Sequence, residues 1–102
     1  MTNIGNFNQV GESYIGKLET LLFTVQATLE PVTSKRREKS PDFRLFAGDR
    51  EIGAAWKRTS QEGAEFLSVN IEDPAFIAPI NCRLVKTGIE AHYTLVWSRS
   101  RD

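Results

Sequence analysis

A chain of 102 residues, 40% hydrophobic and 25% charged, has the length of one domain, and its ten aromatic residues can furnish a core without staples. The single cysteine, Cys82, excludes an internal disulfide and a thiolate metal cage, and it fits a reducing compartment. Thirteen basic and thirteen acidic residues cancel, which excludes the overall cationic field that drives nonspecific nucleic-acid binding.

The opening MTNIGNFNQVGE holds neither a basic n-region nor an apolar h-region, and Leu21-Leu22-Phe23 is the longest strongly hydrophobic stretch. The expectation is a soluble cytoplasmic protein that makes no use of a membrane. The charge balance hides an asymmetry along the chain. Residues 35–58 hold eight lysines and arginines against four carboxylates, a net +4, whereas residues 59–82 hold four carboxylates and no lysine or arginine, a net −4. Charge runs of this kind are more often solvated faces than sites.

Period-2 alternation of β-branched and aromatic residues dominates, and no segment carries a long helical stripe. Residues 4–8 read as a first short strand, closed by a turn at Val10-Gly11-Glu12. Residues 14–30 are long for one flat strand, and their hydrophobic parity switches. Tyr14, Gly16 and Leu18 mark even positions, whereas Leu21, Phe23, Val25, Ala27 and Leu29 mark odd ones. A one-residue slip turns every side chain to the other face, so a bulge or a tight turn is required near Leu22. The segment is then either one bent strand or two strands.

Pro31 ends this region, and residues 33–40 (TSKRREKS) read as a polar, basic surface loop. In residues 43–47, Phe43, Leu45 and Ala47 alternate with Arg44 and Phe46. Gly48-Asp49 suits a tight hairpin whose return strand is residues 51–57. A polar connection follows, then a strand over 65–71 with Leu67, Val69 and Ile71 on one face and Phe66 and Ser68 on the other. Pro74 and Pro79 bracket a loop expected to cross the sheet end with Phe76 beneath it. Residues 80–86 and 91–98 form a last hairpin around Thr87-Gly88. The fold expected is a single all-β domain of seven or eight short antiparallel strands built from consecutive hairpins, with little or no helix. A strongly bent barrel is preferred over a sandwich.

Catalytic chemistry finds little support in these residues. His92 is the only histidine, lies in a strand and has no serine or cysteine motif around it, so it reads as a packed or surface residue. Cys82 alternates with Ile80 and Leu84 and reads as a buried structural thiol, with Arg83 on the opposite face. No histidine pair, CxxC or calcium-loop spacing points to a metal, and Gly48 and Gly53 do not form a phosphate cradle. The expectation is a non-enzymatic protein with no cofactor and no small-molecule substrate.

Binding is better supported. Proteins that hold single strands place aromatics and cations on a curved sheet, where bases stack and phosphates pair. Arg44 and Phe46 share one face of their strand, Trp56 adjoins Lys57 and Arg58, and Lys35, Arg36, Arg37 and Lys39 supply a flexible basic arm. The plainer reading is that Phe46 and Trp56 pack the core and the cations protect a strand edge. The alternative function is protein interaction or self-assembly, with the +4 region meeting a −4 region or an exposed edge strand extending the sheet of a partner.

The opening Asn3-Ile4-Gly5-Asn6-Phe7, the block PDFRLFAGDREIGAAWKRTS at 41–60, the block FLSVNIEDPAFIAPINCRLV at 66–85 and the closing Leu95-Val96-Trp97-Ser98-Arg99 together resemble the bacterial family known as domain of unknown function 736. The likeness covers nearly all of the chain, and the 33–40 loop is its least family-like part. The resemblance implies no activity, substrate or catalytic residue. It implies a setting on proteobacterial plasmids and integrated mobile elements, and with it roles in DNA transfer, replication, regulation or interference with host defence.

Overall fold

In the computed structural model, which describes residues 2–21, 23–34, 37–74 and 76–97, the described residues form eight antiparallel strands and no helix. The strands are β1 (Thr2–Val10), β2 (Ser13–Glu19), β3 (Thr24–Pro31), β4 (Phe43–Ala47), β5 (Arg50–Thr59), β6 (Glu65–Ile71), β7 (Ile80–Lys86) and β8 (His92–Trp97). Each pairs with its neighbours in chain order, and β8 returns to β1, closing the barrel. The upper end carries the turns after β1, β5 and β7 and the long β3–β4 loop. The lower end carries the turns after β2 and β4 and the 72–79 loop.

The parity switch marks two strands rather than one bent strand. Tyr14, Gly16 and Leu18 of β2 point inward and pair with Leu29, Ala27 and Val25 of β3, so even positions before the turn meet odd positions after it. The turn is closed by Thr20 N–H donating to the Phe23 carbonyl at 2.9 Å. Leu21 belongs to the turn and is fully exposed, so it does not join the odd face. Leu22, expected at the break, lies outside the described residues.

Hairpin chemistry accounts for the other tight turns. Gly11 and Gly48 each hold the first central position of a two-residue turn with φ of 62° and 67°, a region L side chains rarely adopt. Two register irregularities add curvature. Between β4 and β5, Leu45 faces Gly53 but Phe46 faces Glu51, leaving Ile52 as the extra residue; between β1 and β8, Ile4 is extra in the same way. Bulges bend and twist a strand, which a small barrel needs to close.

Inward residues fill the interior, and Phe7, Leu29, Leu45, Leu84, Leu95 and Val69 are the largest fully buried side chains. An eight-strand barrel has an interior just wide enough for this. Phe7 lies directly across from Gly16, where an added Cβ would come within 2.7 Å of the Phe7 Cα and 2.8 Å of its Cγ. The ring therefore occupies the space a side chain at 16 would need. Tyr14, Phe43 and Tyr93 cap the core above, while Phe23 and Phe76 stack at 6.1 Å below. The 72–79 loop thus crosses the barrel end with Phe76 tucked in.

Outward positions are largely polar, including Asn6, Asn8, Lys17, Gln26, Arg44, Arg58, Asn70, Asn81 and Arg83. A membrane-spanning barrel has the reverse pattern, an apolar outer band. No helix among the described residues is long and apolar enough to cross a membrane.

Closure corrects one expectation. A closed barrel has no free sheet edge, so strand addition to a partner is not available to this fold. The −4 region is likewise divided in space, with Glu62 and Glu65 at the upper end and Glu72 and Asp73 at the lower. Asp73 also accepts from Arg50 at 3.3 Å.

Candidate functional site

Trp56, Lys57 and Arg58 are consecutive in β5, so the pleat sends them to alternate faces. Trp56 faces Ser68 and Arg58 faces Phe66 on the outer surface, whereas Lys57 faces Leu67, an inward residue. The Lys57 Nζ lies 6.0 Å from the centroid of the Phe43 ring at the upper rim. The run that looks continuous in sequence is thereby divided, with Lys57 separated from its neighbours.

On β4, Arg44 and Phe46 do share the outer face. Arg44 is opposite Glu30 and Ala54, and its Nη1 lies 3.8 Å from the Glu51 carboxylate with both side chains at least half exposed. Such a pair contributes little stability, but it lowers the positive potential there. Phe46 is opposite Glu51, placing it about four residue rises, or roughly 13 Å, from Trp56 along the sheet.

Trp56 is half-buried because the β3–β4 loop closes over it. Its indole Nε1 donates to the Lys39 carbonyl at 2.9 Å, and the neighbouring Lys57 N–H donates to the Asp42 carboxylate at 2.8 Å. A small turn at Arg37 precedes this strap, where Ser40 N–H donates to the Arg37 carbonyl at 3.0 Å. Arg37 and Lys39, on the loop whose Lys39 carbonyl accepts from Trp56, keep exposed side chains. The expected flexible arm is therefore anchored over 37–42; Lys35 and Arg36 lie outside the described residues.

Register adds two residues that the sequence reading left out of the site. Phe66 stands beside Arg58, and Arg83 is opposite Ser68, the residue facing Trp56. The Arg83 guanidinium lies 5.0 Å from the Phe66 centroid, a cation–π geometry. The alternation of residues 65–71 and 80–86 already marked both as outward. Only the pairing of β5, β6 and β7 brings them next to Trp56 and Arg58.

Above Asn70 the outward residues of β5–β7 hold no carboxylate, whereas Glu51 and Glu72 border the surface at its lower side, where they line a depression with Trp56 and Asn70. β5 contributes Ala54, Trp56 and Arg58, β6 contributes Phe66, Ser68 and Asn70, and β7 contributes Asn81, Arg83 and Val85. Asn70 donates to Asn81 at 2.8 Å and marks its lower limit.

The candidates for catalysis sit elsewhere. His92 Nδ1 is 3.0 Å from the Thr87 hydroxyl, which also donates to the His92 carbonyl at 3.0 Å and accepts from Ile89 N–H at 3.1 Å. These bonds tie the last hairpin together. Cys82 packs between Val69 and Trp97, and burial pushes its thiol up to about 12, so it is held protonated. Among the described residues no three histidine, cysteine or carboxylate side chains converge as a metal cluster.

No curated protein and no solved structure matches this chain. The opening residues, the 41–60 hairpin with its half of the aromatic and cationic surface, and the 66–85 segment with the other half all fall within one family match. That match, to the family described as "Protein of unknown function (DUF736)", runs over residues 3–100, and the chain belongs to this family.

Proposed function

We propose that this barrel is a non-enzymatic binding module, acting in the cytoplasm in a process of plasmids or integrated mobile elements. It holds single-stranded nucleic acid on the outward face of β5–β7. The observation that carries the reading is the convergence of Trp56, Arg58, Phe66 and Arg83 on one curved surface whose carboxylates, Glu51 and Glu72, lie at its lower border. Two half-buried aromatics at the surface suit bases of any sequence, and two guanidiniums, with Arg37 and Lys39 exposed on the loop that covers Trp56, suit the phosphates. Arg44 and Phe46 extend the surface at its side, and Lys57 belongs to the rim.

The neutral chain predicts modest affinity, about 10 µM at low salt, that falls as salt rises. Fluorescence anisotropy with labelled single- and double-stranded oligonucleotides tests it. Salt-sensitive binding of the single strand, weakened about tenfold or more by joint Arg58→Gln and Arg83→Gln substitution, supports the proposal. Absence of binding at tens of micromolar protein ends it.

A protein partner or a second copy is the other reading, and one observation favours it. Leu21 and Ile77 are both fully exposed at the lower end, beside the Phe23–Phe76 stack. Light scattering at two salt concentrations separates the cases, since a salt-independent monomer contradicts self-assembly.

A further inference from the structure

The two barrel ends differ in chemistry. At the lower end a small apolar pocket of about 230 Å³ lies under the Phe23–Phe76 stack. The upper end opens into a larger cavity of about 560 Å³, floored by Leu67 and Leu84. That volume is in the range of small-molecule sites, about 300–1,000 Å³.

Strand parity decides what surrounds the opening. The inward positions just above the core are Lys57 on β5, Lys86 on β7 and Tyr93 on β8, while Tyr14 of β2 forms a wall. Tyr14 meets Tyr93 edge-on, with centroids 5.0 Å apart and planes at 90°. Arg58 and Glu65 complete the rim. Burial, with Tyr93 alongside, pushes the Tyr14 phenol up to about 12, so it remains neutral.

Three cations and one carboxylate leave the mouth at net +2. Among the described residues, none of the three cations is ion-paired. A concave site with low-dielectric walls focuses such a field and concentrates anions. A phosphomonoester, carrying about −1.5 to −2 at neutral pH, matches the charge. The aromatic walls and leucine floor suit a planar base linked to it through a sugar.

We infer that the upper mouth binds a phosphomonoester joined through a sugar to a planar base, the chemistry shared by a free nucleoside monophosphate and the 5′-phosphorylated end of a nucleic-acid strand. Arg58 and Phe66 line both the mouth and the outward face, so a strand on that face can place its end here. In that form the inference rests on the proposed function; for the free nucleotide it does not.

Calorimetry at low salt tests it with thymidine monophosphate, thymidine and inorganic phosphate as free probes, and with a short oligothymidine bearing either a 5′-phosphate or a 5′-hydroxyl. The expected result is a preference of at least about tenfold for a phosphorylated probe over its unphosphorylated counterpart, lost in the Lys57→Gln/Lys86→Gln double variant. Both lysines are exposed, so the variant keeps the fold. A preference confined to the oligonucleotides assigns the strand end, and one confined to thymidine monophosphate assigns the free nucleotide. The inference is overturned by equal affinity for phosphorylated and unphosphorylated probes, by a preference that survives the double variant, or by inorganic phosphate binding as tightly as thymidine monophosphate. Failure of the outward-face proposal shows separately, as loss of binding of the 5′-hydroxyl strand.

Discussion

Gly16 and Phe7 show how one residue sets the shape of the wall around it. Replacing Gly16 with alanine drives a Cβ against the Asn6 carbonyl oxygen and to 2.7 Å from the Phe7 Cα, both backbone atoms that cannot swing aside. Overpacking of this kind costs about 3 kcal/mol, which chemical denaturation reads as a clear drop in midpoint. Cys82 and Tyr14 give a second residue-scale prediction. Both are neutral when protonated, and burial raises both to about 12, Cys82 from an ordinary 9.0 and Tyr14 from 10.0. Their contribution to stability is therefore complete below about pH 9 and is lost as pH rises through 12. Denaturation midpoints of the native chain should fall across this window, and those of Cys82→Ala should fall less steeply. The inward place of Cys82 was legible from Ile80 and Leu84 on either side of it. The demand at Gly16 was not, because it arises from a partner on another strand.

At the scale of elements, the β3–β4 loop and β5 act as a unit through Trp56. Replacing Trp56 with phenylalanine retains an aromatic face but removes the indole donor to Lys39, at a cost of about 1 kcal/mol. Proteolysis within residues 33–40 should accelerate as the strap loosens, while the far hairpin around Thr87 is unchanged. The parity switch between Leu18 and Phe23 located the β2–β3 turn without any knowledge of pairing, since alternation is a property of a single strand. It misplaced Leu21, because a turn residue obeys no parity. The same limit explains the site. Alternation turned Phe66 and Arg83 outward, but only the register of β5 with β6 and of β6 with β7 places them by Arg58 and Trp56. Alternation also separates Lys57 from Trp56 and Arg58, which adjacency in sequence conceals.

For the whole molecule, closure is the property from which the others follow. The β1–β8 ladder runs from Thr2 opposite Trp97 to Asn8 opposite His92, joining the two ends of the described chain. Amide exchange should therefore find Asn6 and Thr94 as protected as residues of the β5–β6 pair, whereas an open sheet would leave an edge strand exchanging fast. Turn spacing and short alternating runs made an antiparallel fold legible, and the demand for curvature at the parity switch favoured the barrel over a sandwich, as the structure shows; the bulges at Ile4 and Ile52 were not legible, because no single strand announces them. Closure also denies the chain an edge for strand addition, and it scatters the carboxylates of residues 59–82 to opposite ends. Recognition is left to side chains, on the outward face, at the mouth and at the lower tip. Mapping amide chemical shifts while titrating a 5′-hydroxyl oligothymidine at low salt tests the outward face most directly. Binding on this face produces the largest shifts at Trp56, Arg58, Phe66 and Arg83; no shifts, or shifts confined to the lower end around Leu21 and Ile77, would overturn it.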